Sequence, residues 1–268
     1  MDYLGADRKE KLDLYCPIQP AAEKRSAIIM VHGGGWVEGD KAKKREIAIC
    51  TTLAKAGFVC VSINYKLGNK SWPQNLYDCK TAVRFLRVNA DKYNIDANHI
   101  GVIGGSAGGH LAVMVGLTGN DAKFDPELPY SGVSTKVQAV VDMYGVTNLL
   151  TREGTSAFGE PNGVLKDGTA PKVLGCTRTE CPEIWKQASP VNHITKNAPP
   201  FLILHGTADT TVDYKQSTEF AQKLKDIGVE NHLKLINGAQ HTFDLESSGT
   251  DLRKMVTEFF ERHLRNDK

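Results

Sequence analysis

The 268-residue chain lacks the features that would point to a membrane, a nucleic acid or a cross-linked miniature fold. No apolar run approaches the roughly 18 residues of a membrane span. Lys plus Arg number 33 against 31 Asp plus Glu, a formal net charge of +2. That excludes a nucleic-acid surface driven by bulk charge, because such domains carry a marked basic excess. Six cysteines are too few for a disulfide framework in a chain of this length. No internal repeat and no low-complexity linker is present. Met1–Pro20 is charged and has no apolar core, so no secretory signal is expected here. Location stays open between the cytoplasm and, after removal of a leader, an extracytoplasmic compartment. The composition is otherwise ordinary, 41% hydrophobic and 24% charged. The chain is long enough to bury a core unaided, and one domain over 1–268 is expected.

Short β-branched runs alternate with longer helical patterns. Strand-like runs are Lys11 to Cys16, Ala27 to Val31, Phe58 to Ile63, Ile100 to Ile103, Val137 to Met143, Phe201 to Leu204 and His232 to Ile236. Helical spacing marks residues near Ala42 to Ala56, a segment opened by Pro73, Ala107 to Leu117, Tyr214 to Ile227 and Thr250 to His263. Gly57 reads as a helix stop and Pro73 as a first-turn proline. This alternation predicts an α/β fold: a mostly parallel central sheet with helices on both faces. Thr147 to Lys196 breaks the rhythm with some fifty residues where a few are usual. It is expected to be a small cap insertion over the carboxyl ends of the strands, where open sheets place their sites. Cys16, Cys50, Cys60 and Cys79 read as buried thiols. Cys176 and Cys181 lie within this insertion. Zinc would need four compact ligands and only His193 is near, which leaves a local disulfide or two surface thiols.

Gly104-Gly105-Ser106-Ala107-Gly108 carries G-x-S-x-G directly after a strand and directly before a helix. That setting is the one a nucleophile elbow requires, with Ser106 projected from a tight turn at a helix N-terminus. A Gly-rich phosphate turn fits less well, since G-x-G-x-x-G order and a P-loop lysine are both missing. A serine hydroxyl needs a base. His241 follows the last strand through Asn237-Gly238-Ala239-Gln240, which puts it at a carboxyl end. Asp209 leaves the preceding strand and is expected to accept the far imidazole N–H. Asp213 is its rival, but it stands just ahead of the helix from Tyr214, where an N-cap role explains it. His32-Gly33-Gly34-Gly35-Trp36 ends an earlier strand. Consecutive glycines let main-chain N–H groups turn inward as fixed donors to a developing oxyanion. Gly34, Gly35 and Ala107 are the expected donors. Trp36 and Trp185 are expected to touch substrate, packing beneath the glycine loop being the alternative for Trp36.

The order Ser106, Asp209, His241 is that of α/β-hydrolases and differs from the His-Asp-Ser and Asp-His-Ser orders of two other serine-hydrolase folds. With Lys11-Leu12-Asp13-Leu14-Tyr15, HGGGW at 32–36, Ser62-Ile63-Asn64-Tyr65, Trp72-Pro73-Gln74-Asn75, Ser106 to Ala112, Ala188-Ser189-Pro190-Val191 and Pro199 to Gly206, the sequence resembles hormone-sensitive-lipase-like α/β-hydrolases over nearly its whole length. More narrowly it resembles the bacterial bifunctional acetylxylan and feruloyl esterase family. The resemblance implies the α/β-hydrolase fold and hydrolysis of short-chain or carbohydrate-linked acetyl or feruloyl esters. It assigns the triad to Ser106, Asp209 and His241 and the oxyanion donors to Gly34, Gly35 and Ala107. Its implied partner is a small-molecule or carbohydrate ester, with no metal, no cofactor and no nucleic acid, in a monomer or homodimer. Val212-Asp213 departs from the Val-Pro often found there. Two other readings share the fold: a serine peptidase of the prolyl-oligopeptidase type, which usually adds a propeller domain, and a ligand receptor that has no need of all three residues.

Overall fold

A computed structural model describes residues 1–19, 23–156, 160–246 and 249–265. The apolar runs form β1 (Leu12–Tyr15), β2 (Arg25–Val31), β3 (Val59–Ile63), β4 (Ile95–Gly105), β5 (Ala139–Met143), β8 (Phe201–Gly206) and β9 (Asn231–Ile236). They make one sheet in the order β1-β3-β2-β4-β5-β8-β9. Only β1 pairs antiparallel, at the edge against β3. The central strands are buried on both faces, which is why they read as continuous apolar runs.

Residues alternate along each strand between two cores. Ile29, Val31, Val61, Ile63, Val102, Val140 and Ile203 face one core, which is closed by α2 (Gln74–Val88), α3 (Ala107–Leu117) and α6 (Lys215–Ile227). Ile28, Met30, Cys60, Ile103, Val141, Leu202 and Leu204 face the other, under α1 (Lys44–Lys55) and α7 (Arg253–Leu264). This period of two is what lets each strand be anchored from both sides. Four carboxyl ends of these strands feed the loops that matter. Residues 32–36 follow β2, Ser106 follows β4, Asp209 follows β8 and His241 follows β9.

The stretch 147–196 holds the expected helical pieces, α4 (Ala170–Leu174) and α5 (Pro182–Gln187), and a 3-10 turn at Pro190–Asn192. It also holds an antiparallel hairpin that its sequence does not announce, β6 (Glu153–Thr155) with β7 (Pro161–Leu165). Val164 and Leu165 are exposed, so the hairpin has no alternating apolar face to betray it. Two further differences concern the sheet. β4 starts at Ile95 rather than Ile100, because the register against β2 breaks between Arg25↔Ile95 and Ala27↔Ile100. The polar residues of that break resemble a loop in sequence. Cys16 is exposed rather than buried, as the first residue past an edge strand with no neighbour on its outer side. Cys50, Cys60 and Cys79 are buried, and Cys176 and Cys181 are half-buried free thiols.

Phe260 of α7 closes one core edge-on against Phe58, with ring centroids 6.2 Å apart, and fits over the missing side chain of Gly101. Phe260→Ala is expected to lower unfolding free energy by about 3–5 kcal/mol, read by urea denaturation. A change below about 1 kcal/mol would show that this core collapses around the cavity.

Candidate active site

Ser106 is the turn residue between β4 and α3, with φ 58° and ψ −122°. A non-glycine residue adopts such a backbone only when its surroundings impose it. Here a Cβ on Gly104 would strike the Gly108 carbonyl, and one on Gly108 would strike the carbonyls of Val31 and His32. The glycines therefore let α3 start directly against β2 and push the serine side chain outward. Ser106 N–H donates to the Met143 carbonyl at 2.9 Å, and its own carbonyl accepts the His110 N–H at 3.0 Å.

His241 reaches this hydroxyl from the loop after β9. Its Nε2 lies 2.9 Å from Ser106 Oγ and its Nδ1 lies 2.6 Å from Asp209 Oδ2. A carboxylate can only accept, so Nδ1 carries the proton and Nε2 presents its lone pair to the serine. Asp209 is fully buried. Its Oδ1 accepts N–H bonds from Thr211 at 2.8 Å and Val212 at 2.9 Å. Burial alone would raise its pKa, but hydrogen bonds from His205 and His241 outweigh it and hold the carboxyl well below the usual range. Asp213 takes no part. Its oxygens accept the N–H groups of Gln216 at 3.2 Å and Glu153 at 3.1 Å, the first of these being the helix-start role expected of it.

The glycine loop borders the same open cleft, about 650 Å³, which is lined by Gly33, Gly34, Gly35, Ser106, Thr169, Thr211 and His241 among others. Gly34 and Gly35 hold φ values of 117° and 57°, and their N–H groups and that of Ala107 have no acceptor among the described residues. Thr169 Oγ1, from the 147–196 stretch, donates to the Gly35 carbonyl at 2.8 Å. Trp36 turns away from the cleft. Its indole N–H donates to His110 Nδ1 at 3.1 Å, and His110 Nε2 donates to the Ala188 carbonyl at 2.7 Å. Burial lowers the His110 pKa to about 4, so the ring stays neutral. Trp36 instead walls a nearly filled chamber of about 10 Å³ with Trp72, Asn75, His110, Leu149 and Val173. Trp185, expected to touch substrate, lines neither space. It is completely buried, donates its N–H to the Cys176 carbonyl at 3.1 Å and lies under the Arg178 guanidinium. Its apolar bulk is spent on holding the insertion together.

Sequence patterns did not reveal the support of the His241 loop. Tyr144, just past β5, sets its ring edge-on to His241, with centroids 4.8 Å apart. Its hydroxyl donates to the Phe243 carbonyl at 2.9 Å and accepts from Arg45 Nη1 at 3.0 Å. Arg45 in turn pairs with buried Glu46. A family model described as BD-FAE matches residues 12–224.

The chain belongs to the BD-FAE family.

This BD-FAE chain has the fold of an α/β-hydrolase of the hormone-sensitive-lipase-like kind. It is 36% identical over 244 residues to esterase LipC of Mycobacterium tuberculosis, covering 90% of this chain and 59% of LipC. It thus spans about three-fifths of that curated relative. Among solved structures it is similar to an acetyl ester-xyloside bifunctional hydrolase from Caldicellulosiruptor lactoaceticus, with a TM-score of 0.79, 27% identity and coverage of 96% and 89% of the two chains. The propionate-bound esterase Est2 of Thermogutta terrifontis gives a TM-score of 0.76 at 28% identity, covering 99% and 95%.

Tyr144→Phe in this BD-FAE chain removes the donor to Phe243 and leaves a buried carbonyl unpaired. A loss of about 1–3 kcal/mol of stability is expected, measured by chemical denaturation. An unchanged midpoint would mean that water or Arg45 replaces the bond.

Proposed function

We propose that the chain is a serine carboxylesterase acting through an acyl-enzyme. The observation that carries this reading is the unbroken relay from Asp209 Oδ2 to His241 Nδ1 at 2.6 Å and from His241 Nε2 to Ser106 Oγ at 2.9 Å, on the floor of a cleft rimmed by Gly33 to Gly35. Ser106 Oγ attacks the ester carbonyl while its proton passes to His241 Nε2. Asp209 holds the ring and stabilises the imidazolium. The N–H groups of Gly34, Gly35 and Ala107 receive the oxyanion, each such donor being worth about 10²–10³ in rate. The tetrahedral intermediate collapses as His241 returns the proton to the departing alkoxide, releasing the alcohol. Water, deprotonated by His241, then attacks the acyl-serine, and the acid leaves as Ser106 regains its proton.

The substrate we propose is a small acyl group on a hydrophilic alcohol such as an acetylated sugar. The pocket beside Trp36 and His110 holds about 10 Å³, room for about one water, so it offers no slot for a bulky acyl group. The cleft is lined by Lys43, Lys44, Arg45, Glu38, Thr169, Thr211 and Thr242 and, among the described residues, by no Phe, Tyr or Trp, which suits a polar alcohol better than a feruloyl ring. The acetyl ester-xyloside activity in the name of the Caldicellulosiruptor relative and the propionate in the Thermogutta structure support the same class. The 147–196 insertion, which reaches the cleft through Thr169, is the cap that shapes this specificity.

Ser106→Ala is expected to lower p-nitrophenyl acetate turnover by about 10⁴-fold or more with an unchanged melting temperature. Retained turnover in the purified variant would end the proposal. Across p-nitrophenyl esters and acetylated xylo-oligosaccharides, kcat/KM is expected to fall from acetate through butyrate to hexanoate. Equal turnover of methyl ferulate and acetate esters would refute the small-acyl reading.

A further inference from the structure

Asp209 is gripped from two sides, and only one of them is His241. His205, next to last in β8, is fully buried. Its Nε2 lies 3.2 Å from Asp209 Oδ2 and 3.1 Å from the Val212 carbonyl. Both neighbours are acceptors, so Nε2 bears a proton. Its Nδ1 lies 2.7 Å from Ser217 Oγ on α6, and a neutral ring accepts the Ser217 hydroxyl proton there. One neutral tautomer satisfies every contact. Asp209 Oδ2 thus receives a short N–H bond from His241 and has the His205 Nε2, whose proton goes to the Val212 carbonyl, as a 3.2 Å neighbour.

We propose that His205 is a positioning residue for the His241–Asp209 pair: its Nε2–H, bonded to the Val212 carbonyl and 3.2 Å from Asp209 Oδ2, steadies the Asp209 loop against β8 and α6 and, by placing its positive N–H beside Oδ2, limits how strongly that oxygen stabilises the His241 imidazolium. The inference rests on the function proposed above. A carboxylate with one fewer positive N–H beside it concentrates more charge toward its remaining partner, so losing the His205 contact makes imidazolium form more readily. It also frees the carboxylate to rotate about its own bond to Cβ. The other charged and titratable groups around the pair come from several directions. Tyr144, past β5, sets its ring edge-on to His241 and accepts from Arg45. Asp142 of β5, whose carboxyl burial raises to about 6, interacts electrostatically with His205. Asp213, also raised by burial, lies four residues beyond Asp209. Arg152 of the insertion donates to the Thr211 carbonyl at 2.9 Å and acts on both Asp209 and Asp213. A neutral-for-neutral change at residue 205 leaves all of these in place.

His205→Gln and His205→Asn separate this role from simple packing. The glutamine amide reaches the place of Nε2, whereas the asparagine amide reaches only that of Nδ1 and keeps the Ser217 contact without the contact to Asp209. With p-nitrophenyl acetate, His205→Asn is expected to lower kcat at least about fivefold at unchanged KM and to move the acid limb of the kcat/KM profile upward by about 0.5–1 pH unit. His205→Gln is expected to restore both. In NMR titrations the His241 ring is expected to protonate at higher pH in His205→Asn than in the wild type, a readout independent of turnover. An acid limb and a titration that stay at wild-type positions in His205→Asn would overturn the proposal, as would two variants equally impaired with no displacement of either. If the wild type hydrolyses no ester, the proposed function fails, and the NMR comparison still decides the role of His205.

Discussion

The close crossing of β2, β4 and α3 is the constraint on which the rest depends. α3 begins so near the end of β2 that only glycine fits at 104 and 108. That approach forces Ser106 into a left-handed backbone. The cost of such a conformation is typically about 1–3 kcal/mol, and the buried core on both faces of the sheet supplies the stability that offsets it. Because the strain is absorbed in the parallel sheet rather than in a mobile loop, the hydroxyl has a fixed address. Loops from β8 and β9, two strands away and beyond, can then be cut to the length that meets it.

Buried polar groups hold the surrounding surfaces in register. Lys80 is fully buried and meets Asp125 at 2.6 Å, while Arg84 donates to the Val133 carbonyl at 2.6 Å. Together they fasten the excursion between α3 and β5 to α2. Arg8 bridges Glu10 and buried Asp78, which pins the amino-terminal segment beside α2. Each of these cations is matched, as interior charges must be. The same rule operates at the cleft, where Tyr144, Arg45 and Glu46 form one chain of contacts behind His241.

Much of this was legible from local pattern. Ser106, Asp209 and His241 each follow a β-branched run, and in a parallel sheet all such ends open on one side. Glycines at 33–35, 104, 105 and 108 signal close backbone approach wherever they stand beside strands. The parts that were not legible depend on contacts distant in sequence. Tyr144 and Phe243 are separated by 99 residues, and nothing near either one announces the pairing. His205 looks like the tail of a buried strand, and its contact with Asp209 arises from how the following loop folds back. Trp185 invites a binding role because it is large and sits in an irregular stretch, yet a small insertion needs a core of its own and takes the tryptophan for that purpose. The β6–β7 hairpin escapes notice because Val164 and Leu165 both face outward.

The bond from Thr169 Oγ1 to the Gly35 carbonyl joins the long 147–196 stretch to the glycine loop after β2. The two segments are therefore mechanically coupled, and a shift in one is felt in the other. Exchanging the 147–196 stretch would at the same moment remove a bond that fixes the tilt of the Gly35 peptide plane. Replacements of that stretch tolerate changes around a retained hydroxyl at 169 better than wholesale grafts, which loosen the glycine loop whatever else they bring.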